Sequence, residues 1–571
     1  MKAPLLLSVL ILGTAVADPR LGSWYTAHSG SYARIYTSAA NQTTGTTSTT
    51  WSRGTGVQNS PVYAGLHEID YSNDWVYIRT TGLAGHNMGP WYLDAAKSQN
   101  FPNFPANTAT IYRIPRNPII PPTTKTATGL GASGYYVNGV AMFDMRDAFS
   151  YSTSNAQDAT PVNGITGDGI WNREAYHNEA VTFDAGFAHQ AGRQYHYHAQ
   201  PPGLRYQLGD HVAYNATTNV YTEMPGLPTS HSPIVAWAAD GLPVYGPYGY
   251  SDPDDASSGI RRMTSGFRLR TITTRTSLPA WAQRVQNKTT LTASQYGPNV
   301  SATYALGHYL EDYEYKGDLG FVHGTDFDLN EYNVRYCVTP EFPGKTWAYF
   351  LTIASDGTPA YPYATGRQYY GTPSGGAVAS ISEAVTVHWQ GGPNKQETPE
   401  SITSSAANND VAIVWSAVEG GTYQITAGDT PSTDQTVSTP TLSGSDKLVY
   451  KDTGARSSHA RRFYRANRTA LATFDTNGFN YTPPGGGTGG TVSFTFTFPT
   501  NPMLPPQNAI TSITVAGVAT AITSYTQATG SATLSFDNST LSSGTAYPAI
   551  LTFTPPGMTT RTVTSTNTYT R

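Results

Sequence analysis

Read for the spacing of apolar and polar positions, most of this chain forms strands. "TVSFTFTF", residues 491–498, alternates Val492, Phe494, Phe496 and Phe498 with Thr and Ser. That period of two marks a strand with one face buried and one wet. "AVTVHW" at 384–389, "DVAIVW" at 410–415, "TYQITA" at 422–427 and "RFYRAN" at 462–467 repeat the pattern with turn residues between them. Such runs predict two small β-sandwich modules. One, of fibronectin type III or immunoglobulin type, covers 381–480, and the other covers 491–571. "PPGGGTGG", residues 483–490, reads as a flexible hinge between them, and "YYGTPSGGAVAS", residues 369–380, as the linker before them. Upstream, "DWVYIRTTG" at 74–82 and "GYYVNGVAMFD" at 134–144 read as strands closed by glycine turns. "LPAWAQRVQNK" at 278–288 is the one helix candidate. The predicted fold class is therefore mainly β and multidomain: a large, irregular β-rich domain with minor α over 18–372, followed by the two modules.

The first residues change the picture of location. Lys2, the apolar run "PLLLSVLIL" and the small residues "AVA" at 15–17 have the form of a secretory signal peptide over 1–17. The chain is then expected to be secreted or held at the cell surface. The apolar run is shorter than the roughly 18 residues a spanning helix needs, so no integral membrane segment is expected in the mature chain. Charged residues make up 13% of the chain and the net charge is −4, without a basic run. This excludes nucleic acid as the main partner and leaves a cell-surface or extracellular-matrix component as the candidate. Cys337 stands alone, which rules out an internal disulfide.

Candidate chemistry is concentrated in one region. Six of the 13 histidines fall between His177 and His231, and two of them sit in "RQYHYHAQPPG", residues 193–203. On a strand, residues two apart share a face, so His196 and His198 point one way and Tyr195 and Tyr197 the other. Two imidazoles so placed suit Zn²⁺ or Cu²⁺. Further ligands are needed, and His231 and His86 are favoured, with Asp240 as a ligand or a partner of one. Tyr195, Tyr197, His177, Glu179 and His189 are candidates for supporting positions. Asp252, Asp254 and Asp255 in "SDPDDASSG" form a candidate Ca²⁺ loop, although the spacing is not that of the twelve-residue calcium loop. Two other readings of the histidine pair stay open: a hydrogen-bonded core network without metal, and acid–base catalysis. No His-Glu-x-x-His, Gly-x-Ser-x-Gly or glycine-rich phosphate loop occurs, so no catalytic residue is assigned and no organic cofactor is indicated.

Several segments together resemble the YHYH-domain family. They are "TTGLAGHNMGPW", "FPNFPANTATIYRIPRNP", "GYYVNGVAMFDMRDAFSY", "GRQYHYHAQPPG", "HSPIVAWAADGLPVYGPYGYSDPDD" and "AYFLTIASDGTPAYPYATGRQYYG", which occur in the family's order over residues 80–371. The cysteines that some members carry near these motifs are absent here. The resemblance implies no particular activity. Three functions are therefore weighed: an exported protein that binds a transition metal through its histidines, a structural or adhesive surface protein, and a metal-dependent hydrolase or oxidoreductase.

Overall fold

The computed structural model describes residues 18–121, 123–431, 435–471, 480–482, 491–497, 510–526, 531–553 and 561–571. The segments at 1–17 and 483–490, read above as signal peptide and hinge, lie outside the described residues. The protein is mainly β and multidomain, with a few short helices. No described helix is long and apolar enough to cross a membrane.

Two sheets organise the large domain. The first has five strands, in the order Gly376–Val378, Thr110–Pro115, Trp75–Thr80, Leu66–Tyr71 and Thr386–Gln390. The second has eight, in the order Ala188–Ala191, Gln194–Tyr197, Ala141–Met142, Gly134–Tyr136, Ile234–Ala238, Pro243–Tyr245, Thr346–Phe350 and Val334–Cys337. Its central strands are buried on both faces; Ile234–Ala238 has no exposed residue. That explains why "IVAWA" reads as a continuous apolar run without alternation. One apolar core spans both sheets and includes Ile78, Tyr135, Tyr195, Tyr197, Trp237 and Tyr349.

Two details differ from the sequence reading. "AVTVHW", taken as the first strand of a sandwich module, instead pairs through Thr386–Gln390 with Leu66–Tyr71 of the large domain. Alternation shows that a strand has two unlike faces, but it does not choose the partner sheet. The glycine-rich stretch before it is also not a free linker, because Gly376–Val378 pairs with residues 111–113. A side chain on Gly375 would meet the carbonyl oxygens of Ala239 and Arg113 at 2.7 and 2.8 Å. Glycine there permits close backbone packing. The helix candidate forms as Ala280–Gln286. The later strands make two three-stranded and two four-stranded sheets, all antiparallel.

One buried ionic network ties separate motif segments together. Arg205, fully buried, donates to Asp210 Oδ2 at 2.6 Å, to Glu223 Oε2 and Oε1 at 2.7 and 2.8 Å, and to Gln200 Oε1 at 2.7 Å. Ser232, next to His231, donates to Asp210 at 2.8 Å, and the Tyr248 hydroxyl donates to Glu223 at 2.7 Å. The "HAQPPG" run thus meets the guanidinium directly through Gln200, and the "HSP" and "GPYGY" runs meet its two carboxylate partners through Ser232 and Tyr248.

Candidate metal centre

The tyrosine–histidine run lies in a β-hairpin. Ala188–Ala191 and Gln194–Tyr197 pair antiparallel, with His189 directly opposite His196. The two-residue connection is Gly192–Arg193, and Gly192 has φ +59°, a conformation that suits glycine. Opposed residues share a face, and so do residues two apart, so His189, His196 and His198 converge. Their ring centroids lie 4.7 to 5.6 Å apart. One ligand nitrogen from each ring lies within 4.8 Å of the others, and all three side chains are buried. The Nε2 atoms of His196 and His198 are 3.0 Å apart.

Each ring is held by its other nitrogen. His196 Nδ1 lies 3.0 Å from the Gln194 carbonyl oxygen, and His198 Nδ1 lies 2.6 Å from that of Asp144. A carbonyl only accepts, so both Nδ1 atoms carry the proton. His189 Nδ1 is 2.7 Å from the Thr182 hydroxyl, whose own proton goes to the Glu179 carbonyl at 2.7 Å. That hydroxyl oxygen therefore accepts from His189. All three neutral rings then carry a free Nε2 lone pair, and those of His196 and His198 face each other.

Glu179 lies against two rings of the cluster. It ends the short helix Ala175–Glu179. Its Oε2 lies 3.4 Å from His198 Nε2 and 3.6 Å from His189 Nε2, and this buried oxygen accepts no hydrogen bond. Burial, reinforced by the charge of Asp147, holds the Glu179 carboxyl well above the usual range. Burial, with the neighbouring imidazoles, pushes His189 and His196 well below the usual histidine value, and burial lowers His198. Aromatic rings close the sides. Phe143 stacks on His196 at 3.9 Å, and Phe183 packs edge-on to His189 at 5.0 Å. The cluster opens on a cavity of about 320 Å³ whose walls include Phe101, Leu130, Phe143, Phe149 and Pro161.

The other expected site residues fall elsewhere. His86 lies across the strand from the cluster: its Nε2 meets the Tyr197 hydroxyl at 2.9 Å, and burial lowers it to about 4. Tyr195 is on that same face and donates to Asp184 at 2.8 Å. The two tyrosines thus anchor the hairpin in the core. His231 packs among Tyr245, Tyr250 and Phe350 with Nδ1 on the Ser232 carbonyl. Asp240 accepts from the Tyr349 hydroxyl at 2.7 Å and from Gly371 N at 2.8 Å. Neither His231 nor Asp240 belongs to the histidine cluster, because each is held by partners in another part of the sheet. His177 stands beside His308, with ring centroids 5.6 Å apart. Asp252, Asp254 and Asp255 close the hairpin of Tyr248–Asp252 and Asp255–Arg262. Asp252 and Asp255 accept the Asp254 and Ser257 amides at 2.8 Å, and Asp254 pairs with Lys345. These are turn-forming roles. Among the described residues, only His189, His196 and His198 form a group with metal-ligand spacing.

The hairpin, its two-faced motif and the network around Arg205 lie inside one stretch, residues 111–362, that matches the family model described as YHYH protein. This stretch is a YHYH domain. No curated protein and no solved structure matches the chain. Within the YHYH domain the four letters divide by role: both tyrosines face the core, and both histidines face the cavity.

Proposed function

We propose that the YHYH domain binds one divalent transition-metal ion, of the Zn²⁺ or Cu²⁺ class, through His189, His196, His198 and Glu179. The observation that carries this reading is the 3.0 Å approach of His196 Nε2 to His198 Nε2, with both Nδ1 atoms already donating to carbonyls. Two neutral rings so fixed point lone pairs at each other. Turning either tautomer around only moves the conflict to a carbonyl oxygen. A cation between the rings removes it. A proton is the poorer cation, because burial in this aromatic surround disfavours imidazolium. A metal ion at about 2.0–2.1 Å from each nitrogen would set neighbouring nitrogens roughly 3.0–3.4 Å apart, which fits the 3.0 Å between His196 and His198. Three neutral nitrogens and one carboxylate are also a donor set that zinc and copper accept.

The cavity supports a second, finer reading. A metal held by the hairpin would face open space of about 320 Å³, so a small molecule could reach it. Hydrolytic or redox chemistry on such a molecule is the enzymatic form of the proposal. The export reading of residues 1–17 is kept as part of this proposal.

The test uses the ring that is held by a side chain. Thr182→Val leaves the shape but removes the acceptor of His189 Nδ1–H. Loss of such a partner typically weakens metal binding by about 10- to 100-fold. A competition titration with a zinc chelator should show that drop with the melting curve of the metal-free protein little changed. Unaltered zinc affinity in the variant would remove His189 from the proposed ligand set.

A further inference from the structure

The helix Ala175–Glu179 also borders a second cavity, which shares no side chain with the histidine cluster. This space, about 510 Å³, is walled by the rings of Tyr176, Phe267, Tyr313, Tyr361 and Tyr363. Several rings meet at steep angles, as walls meet a floor. Phe267 and Tyr361 are 5.1 Å apart at 83°, and Tyr361 and Tyr363 are 6.0 Å apart at 78°. Tyr313 stacks flat on Tyr361 at 4.1 Å.

Glu174 lies at the same cavity and is fully buried. Its two oxygens accept from Tyr176 N at 3.1 Å and His177 N at 2.6 Å. Among the described residues no Lys or Arg forms an ion pair with it. Lys316 is tied to the Ser265 carbonyl at 3.0 Å, and Arg367 donates to the Thr128 carbonyl at 2.6 Å. A buried carboxylate without a cation is unfavourable, and burial lifts this group to about 8.

Two further observations mark the place. The buried Tyr361 hydroxyl has no hydrogen-bond partner. Tyr363 has φ +74°, an unusual conformation for a bulky residue. Its backbone is pinned there by Thr352, whose hydroxyl accepts from Tyr363 N at 3.0 Å and whose N–H donates to Tyr363 O at 2.8 Å. Backbone strain that neighbouring contacts enforce in this way tends to gather at binding sites.

We propose that this aromatic cavity binds a small organic cation, an alkylammonium head group held against the ring faces and the Glu174 carboxylate. Aromatic faces are electronegative and attract a desolvated cation, and the Glu174 carboxyl, protonated at neutral pH while the cavity is empty, adds a full negative charge once the cation displaces its proton. The remaining lining polar groups are Ser265, His177 and the tyrosine hydroxyls, few for a sugar. The site is independent of the metal reading, so either can fail alone.

The full chain is titrated calorimetrically with choline and with 3,3-dimethylbutan-1-ol, its neutral counterpart of equal shape. Choline is expected to bind saturably, and the alcohol at least about tenfold more weakly. Tyr176→Ala, at a half-buried position, should weaken choline by roughly tenfold with zinc stoichiometry unchanged, and Glu174→Gln should weaken choline to a similar extent. Equal binding of the two compounds would overturn the proposal. So would unsaturable choline binding, or choline affinity that neither substitution alters.

Discussion

Zinc affinity of the YHYH domain rises with pH above the ordinary carboxylate range, by up to about tenfold per pH unit, which corresponds to one proton released per metal bound. The sign follows from the two kinds of ligand. Burial holds the Glu179 carboxyl well above its usual range, so it keeps its proton to a higher pH than an ordinary carboxylate and must lose it to bind a cation. The three imidazoles are held below their usual value and are already neutral. They release nothing, although free histidines would each add to the slope below about pH 6.5. Isothermal titration at several pH values, in buffers of different ionisation enthalpy, counts these protons. Glu179→Gln should flatten the dependence and weaken binding. A slope of three or more protons near pH 6 would mean that the rings are solvated and not a preformed site.

Arg205→Met destabilises the domain by about 3–5 kcal/mol, the usual cost of removing one partner from a buried ionic network. The substitution keeps the length and apolar body of the side chain. It leaves Asp210 and Glu223 buried with only neutral donors, from Ser232 and Tyr248. Chemical denaturation read by tryptophan fluorescence measures the loss. The metal site should keep its zinc stoichiometry under native conditions, since none of its proposed ligands touches the network. A loss below about 1 kcal/mol, the range of exposed pairs, would show that water reaches this network in solution.

These two regions show why the sequence reveals part of the site and hides the rest. Alternation correctly puts His196 and His198 on one face and both tyrosines on the other, because strand period is a local property. The third ring was within reach of the same logic. Once Gly192–Arg193 is taken as a two-residue turn, residue 189 must oppose 196, so His189 belongs with the pair and not behind it. Motif membership favours His86, His231 and Asp240, but it reports only that segments fold together and not which face they reach. His86 meets Tyr197 on the far face, and His231 and Ser232 serve the sheet and the Arg205 network. Glu179 gave no local signal as a ligand. A five-residue helix brings it to the hairpin, and that packing depends on Glu174 capping the helix and on Thr182 bridging to His189. The β content was legible from texture. The partners of the strand at 386–390 were not, since pairing is a long-range choice.

If three neutral imidazoles and a carboxylate share one cation, the metal content of the purified protein shows it. The intact chain is loaded with Zn²⁺ at neutral pH, passed through a desalting column and measured by elemental analysis, beside a His196→Gln, His198→Gln variant whose circular dichroism is unchanged. One equivalent of zinc is expected in the parent protein and background in the variant. Metal-free parent protein, with nitrogen-15 spectra showing a proton on Nε2 of His196 or His198, would contradict it and leave the histidines as a hydrogen-bonded network.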